Sequence, residues 1–187
     1  MAFLTFAGSD REESVNSLAA SMVSTAVSGL GHEVESQRLE TLNVPLYSQV
    51  TEQSTGYPSN LRDFRLSVHK ADGLIIRCPE FNGLITPLLL NTLTWLTRSD
   101  QGAPDLSAFR LKPLLVCSSS PGGLGGIRAA AELANYLHGV GAIVFPEFLV
   151  VPQAFSVFSK PNHASDHPLT VRANEIAIAF TELVKKV

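Results

Sequence analysis

A chain of 187 residues, 45% hydrophobic and 17% charged, is long enough for one domain with a substantial core and far from the composition of disorder. Its 14 basic and 17 acidic residues leave a net charge of −3, which gives no general attraction to a polyanion and argues against a nucleic-acid partner. The start of the chain lacks a basic region followed by a long apolar one, and no run of ~18 apolar residues occurs, so a cytoplasmic protein of residues 1–187 in a single domain, without a membrane span, is expected.

Phe3 to Ala7 is a short apolar run bounded by Gly8 and reads as a strand buried on both faces. Ser14 to Leu30 follows as a helix, with Leu18, Met22, Ala26 and Leu30 spaced by four as its core stripe and Gly29 and Gly31 at its end. Val34 to Leu39 carries enough polar residues to be an edge strand. Leu61 to Ala71 places Leu61, Phe64 and Val68 on one helical face, and Gly73 to Cys78 is a second buried strand. Thr86 and Pro87 suit the N-cap and first position of a helix carrying Leu88, Leu89, Leu90, Leu93, Trp95 and Leu96. Apolar residues surround much of that axis, so a subunit interface is expected there. Leu114 to Cys117 is another buried strand, and Gly126 to Gly139 another helix. Ala142 to Phe145 forms the last strand, with a continuation through Phe148 to Val151. Pro152 to Pro168 has no pattern and reads as a surface loop or a cover for a site. Leu169 to Val187 closes the chain as a helix with Ala173, Ile176, Phe180, Leu183 and Val187 on its buried side. Five strands alternating with helices imply a parallel sheet wrapped on both faces by right-handed crossovers.

Ligands of such sheets sit outside the carboxyl ends of the strands, so the segments after the strands carry the chemistry. After the first comes Gly8-Ser9-Asp10-Arg11-Glu12-Glu13-Ser14-Val15-Asn16, where hydroxyls, an arginine and the N–H groups of a helix start suit a phosphate. The same residues also read as a plain cap by Ser14 with acids in the first turn. After the third comes Pro79-Glu80-Phe81-Asn82-Gly83, which suits a rigid loop against a planar ring or simply a tight turn. After the fourth comes Ser118-Ser119-Ser120-Pro121-Gly122-Gly123-Leu124-Gly125-Gly126, whose glycines expose backbone N–H groups to a close ligand. Neither a Walker A loop nor G-x-G-x-x-G after the first strand is present, which removes nucleotide hydrolysis and an ordinary Rossmann dehydrogenase. Together the three loops fit a mononucleotide with a flat ring.

These residues resemble the NADPH-dependent FMN reductase family, which includes chromate, quinone and azo-dye reductases. Its G-S-x-R-x-x-S-x-N corresponds to Gly8, Ser9, Arg11, Ser14 and Asn16; its P-E-Y-N-G reads Pro79 to Gly83 with Phe81 for tyrosine. Its serines followed by G-x-x-G-G-x-R correspond to Ser118 to Ser120, Gly122, Gly125, Gly126 and Arg128. A further family segment reads Leu84 to Arg98 here, with a lysine and an aspartate lost. The resemblance implies a flavodoxin-like sheet of order 2-1-3-4-5, FMN as cofactor, NADPH or NADH as donor and a small-molecule electron acceptor such as a quinone, azo compound, metal oxyanion or free flavin. It implies that Ser9, Arg11, Ser14, Val15 and Asn16 hold the phosphate and ribityl chain. Pro79, Glu80, Phe81, Asn82 and Gly83 would border the ring, and Ser118, Ser119, Ser120 and Gly122 its polar edge. It also implies a homodimer or homotetramer, here through the Pro87 to Leu96 helix. No acid or base is assigned, since a flavin carries its own hydride chemistry. Glu80 reads as structural rather than as a general base, Cys78 and Cys117 as inert core thiols, and His32, His69, His138, His163 and His167 lack metal-ligand spacing. Competing readings are an FMN electron carrier served by protein partners and a noncatalytic binding domain.

Overall fold

Apolar strands that alternate with amphipathic helices bury both faces only when the helices cover a sheet on two sides. The computed structural model describes residues 1–9, 15–158 and 168–187, with residues 15–20 described by their backbone alone. In chain order the elements are β1 (Ala2–Ala7), α1 (Val15–Gly29), β2 (Glu33–Arg38), a 3-10 turn (Leu39–Leu42), α2 (Gln49–Thr55), α3 (Ser59–Lys70), β3 (Gly73–Arg77), β4 (Glu80–Phe81), β5 (Leu84–Ile85), α4 (Pro87–Leu96), β6 (Pro113–Ser119), α5 (Ile127–Gly139), β7 (Ile143–Val144), β8 (Leu149–Val151), α6 (Ala154–Phe158) and α7 (Pro168–Val184).

The main sheet runs β2-β1-β3-β6-β7, every pair parallel, and this is the flavodoxin-like order. Its fifth position is shared: β7 pairs with the start of β6 and β8 with its end. Pro146 falls between the two and has no N–H to give to a ladder, which accounts for the break. Alternation along the strands sends Leu4, Phe6, Leu74, Ile76, Leu114 and Val116 to the face covered by α3, α4 and α5. Phe3, Ile75, Leu115 and Cys117 go to the face covered by α1 and α7.

The predicted stripe of α3 is buried as expected, and that of α1 is met in part, with Met22 and Ala26 half-buried against the core. Among its described side chains Val23 and Val27 are fully buried, while Leu30 is 43% exposed beyond the helix end. Residues spaced strictly by four drift around a helix of 3.6 residues per turn, so the stripe leaves the core within a few turns. Val187 is likewise exposed past the end of α7. The expected loop after Pro152 begins instead with α6, and the remainder of it, with His163 and His167, lies outside the described residues.

The all-round apolarity of α4 has an internal cause. Leu89, Leu93, Trp95 and Leu96 are all fully buried within the chain, and Leu90 is the large residue left exposed. Residues 43–57 cover the outer side: Trp95 Nε1 donates to the Pro45 carbonyl at 2.8 Å, and Tyr47 and Tyr57 set their rings edge-on to the indole. Asn91 accepts from Tyr47 N at 2.8 Å and donates to the same Pro45 carbonyl at 3.0 Å.

An ion pair pins this covering segment from the other end. Arg98 Nε and Nη2 donate to the two oxygens of the buried Glu52 carboxylate at 2.8 and 2.9 Å, and the Tyr47 hydroxyl donates to it at 3.2 Å. Arg98 holds the Glu52 carboxyl below its ordinary 4.5 against the opposing effect of burial. A carboxyl held low in the folded state adds stability that is complete above its unfolded value and lost as pH falls through the lower folded one. Glu52→Gln is expected to cost about 3 kcal/mol at pH 7, because Arg98 is left without its partner in a poorly solvated site. Urea unfolding across pH checks this: the gap between wild type and variant should be constant at neutral pH and shrink below the ordinary carboxylate range.

Candidate functional site

Parallel pairing brings the carboxyl ends of β1, β3 and β6 side by side: Gly8 N donates to the Arg77 carbonyl at 3.1 Å, and Cys78 N to the Cys117 carbonyl at 2.8 Å. The three predicted loops therefore leave one edge of the sheet. In the first, Ser9 is half-buried; Arg11 and Ser14 lie outside the described residues, and Val15 and Asn16 open α1. Thr86 stands at the N-cap of α4 as expected, but its hydroxyl does not cap the helix. It donates at 2.6 Å to the Gly8 carbonyl and so ties the first loop to α4.

The segment after β3 is a hairpin, in which Glu80 faces Ile85 and Phe81 faces Leu84. Asn82 (φ 56°) and Gly83 (φ 88°) form its two-residue turn, the Asn-Gly pairing that tolerates two left-handed residues in succession. Pro79 is buried beneath the hairpin, while Phe81 and Asn82 are exposed at its tip. Glu80 turns its carboxylate to the start of α5, where Arg128 and the Ala129 N–H hold its pKa below the ordinary range.

Ser118 and Ser119 are the buried last residues of β6. The Ser118 hydroxyl donates to the Cys78 carbonyl at 2.7 Å and belongs to the scaffold. Ser120 is half-buried and Gly122 exposed, and both are fixed from behind by the approach to α6, since Ala154 N donates to the Ser120 carbonyl at 2.9 Å and Gln153 N to the Gly122 carbonyl at 3.0 Å. The loop ends at Gly126 (φ 85°), where a β-carbon would collide with Ser118 Oγ.

A cavity of about 370 Å³ opens at this edge, lined by Gly8 and Phe81 from two of the predicted loops and by Thr86, Pro87 and Leu88 at the start of α4. Glu40, Asn43 and Val44 complete it from the turn after β2, which the sequence reading did not assign to the site. The signal was present in Asn43-Val44-Pro45, a turn at the carboxyl end of a predicted strand. Cys78 and Cys117 are free and buried, and burial pushes both thiols up to about 12, so neither is a ready nucleophile. Among the described residues no group of His, Cys, Asp and Glu is arranged to hold a metal ion, and no helix is long and apolar enough to cross a membrane.

The exposed, β-carbon-free Gly122 backbone together with the hairpin tip suits a flat heterocycle with polar edges. Fold and edge define a flavodoxin-like protein of the mononucleotide-binding class. The chain belongs to the NADPH-dependent FMN reductase family, whose profile matches residues 1–156. It is 33% identical over 109 residues to a quinone reductase of Escherichia coli K12, a match covering 57% of this chain and 55% of the relative, so it spans only about half the length of that protein. An NAD(P)H-dependent FMN reductase of Pseudomonas aeruginosa is 28% identical over 134 residues, covering 72% of this chain and 68% of the relative. The solved structure of FerB, a flavoenzyme NAD(P)H:(acceptor) oxidoreductase from Paracoccus denitrificans, superposes with a TM-score of 0.75 at 20% identity, over 99% of this chain and 97% of that one, and shares its fold.

Two glycines of the fourth loop should separate structure from binding. Gly126→Ala is expected to lose about 2 to 4 kcal/mol of stability, combining a left-handed backbone with overpacking against Ser118. Gly122→Ala meets only Ser120 Oγ at an ordinary 3.7 Å, so its unfolding midpoint should match wild type while its affinity for FMN falls. Urea unfolding and flavin fluorescence titration check the pair.

Proposed function

We propose that this chain binds FMN at the carboxyl edge of its sheet and transfers electrons from NAD(P)H to a quinone. The observation that carries the reading is that the three motif-bearing loops leave one edge of the sheet, where Gly8 of the first and Phe81 of the second line a cavity. Ser9, Arg11, Ser14, Val15 and Asn16 hold the phosphate and ribityl chain; Pro79, Phe81, Asn82 and Gly83 border the ring. Ser119, Ser120, Gly122 and the backbone of Ser118 meet its polar edge, and Glu80 serves through the position of the hairpin. FMN supplies the capacity to accept a hydride from nicotinamide and to release electrons to a second substrate. The chain supplies orientation and a fixed set of dipoles, so no acid or base is required of it.

A quinone is favoured over an oxyanion by the character of the edge. Phe81, Leu84, Leu124 and Phe155 are all more than half exposed on the hairpin, the glycine-rich loop and the start of α6, an apolar rim suited to a flat uncharged acceptor. A second copy of the chain is expected to pack on Leu46, Val50 and Leu90, large apolar residues exposed on α4 and its covering segment.

The test is anaerobic stopped-flow mixing of the FMN-loaded protein with NADPH, read as flavin absorbance near ~450 nm, followed by a simple benzoquinone. Saturable bleaching and rapid return of colour on quinone addition are expected. Flavin that stays yellow with NADPH would overturn the reductase reading in favour of an electron carrier.

A further inference from the structure

The hairpin β4–β5 and the start of α5 are fastened to each other by carboxylates that the proposed reaction does not use. From the hairpin, one Glu80 oxygen accepts from Arg128 Nε at 3.0 Å and also from Arg128 Nη2, and the other accepts from Ala129 N at 3.3 Å. From the helix, Glu132 accepts from Ile85 N at 2.9 Å. Glu80 and Ile85 are cross-strand partners at the base of the hairpin, so both anchors grip the base and leave the tip, Phe81 to Leu84, projecting over the edge. The Arg128 guanidinium extends along the hairpin to within 3.5 Å of where a β-carbon of Gly83 would stand.

The Glu80 side chain is 8% exposed and that of Arg128 58%, so a buried carboxylate is matched by a cation that solvent still reaches. The carboxylate draws on a forked guanidinium, an otherwise unpaired first-turn amide and the positive end of the helix dipole. α5 does not need this contact to dock, because Ala129, Ala130, Leu133, Ala134 and Leu137 already bury its inner face. What the contact fixes is the distance between the hairpin and the glycine-rich loop that runs into α5 through Gly126.

We propose that Glu80 is a positioning residue for the cofactor: through Arg128 and Ala129 it latches the hairpin to α5 and preforms the slot between the two loops that bracket the ring. This rests on the placement of FMN at this edge. A preformed slot spares the ligand the ordering of the hairpin, so losing the latch weakens binding while leaving the sheet and its core intact.

The test measures FMN affinity by fluorescence titration, and urea unfolding of the apoprotein, for wild type, Glu80→Gln, Arg128→Gln, the double variant and Arg128→Lys. Arg128 is a surface residue, so its variants stay folded even if Glu80→Gln does not. Each Gln variant is expected to bind FMN about tenfold more weakly, with an unfolding transition that is lowered but stays single and cooperative, and the double variant no more weakly than either single, since both remove one latch. Arg128→Lys, which keeps the charge and loses the fork, should recover part of the affinity and the resolved shoulder on the visible band of bound flavin. Single variants that bind as wild type does, or losses that multiply in the double, would overturn the latch. Failure of wild type itself to take up FMN would instead overturn the site on which the latch depends.

Discussion

The parallel pairing of β1 with β3 and of β3 with β6 is the constraint on which the site depends. Parallel neighbours cannot be joined by a tight turn, so each strand runs out at the same edge and must be followed by a crossover. Because both faces of these strands are sealed by helices, the edge is where irregular backbone with free polar groups can lie. Three loops with different side-chain chemistry are thereby held together although they are separated by long stretches of sequence. Nothing in any one of them would specify a site alone.

Within that edge the polar residues divide their work. Thr86 ties the first loop to α4, Ser118 ties the end of β6 to the end of β3, and Glu80 ties the hairpin to α5. Each spends its hydrogen bonds on the scaffold, while among the described residues Gly122 and the hairpin tip at Phe81 and Asn82 are exposed. The segment Leu84 to Arg98 follows the same logic. Its retained Asn91, Trp95 and Arg98 fasten residues 43–57, while Leu90, standing where the family pattern has lysine, is exposed. The departure thus falls on the outer face and leaves the internal fastening in place.

Much of this was legible in the sequence because burial writes a local signature. The apolar runs of β1, β3 and β6, the stripe Leu61, Phe64 and Val68, and the buried cysteines all follow from what surrounds each residue in its own element. The hairpin was less legible, since two residues on either side of Asn82-Gly83 are too few for alternation to register. α2 was not legible, because Gln49–Thr55 has no apolar face and is held by the distant Arg98 acting on Glu52. Contacts remote in sequence also explain α4, whose outer side is covered by the same segment. In the site, the motif-bearing loops could be read, whereas Glu40, Asn43 and Val44 reach the cavity only through the fold.

The claim that the cofactor lies at this edge is tested most directly by amide NMR of the apoprotein titrated with FMN. The account predicts that the largest shifts fall on Gly8, Ser9, Phe81 to Gly83 and Ser119 to Gly122, with the strand interiors little changed. Shifts centred instead on another cleft, about 490 Å³ between α3 and residues 99–107 and lined by Arg62, Arg65, His69 and Asp100, would contradict it.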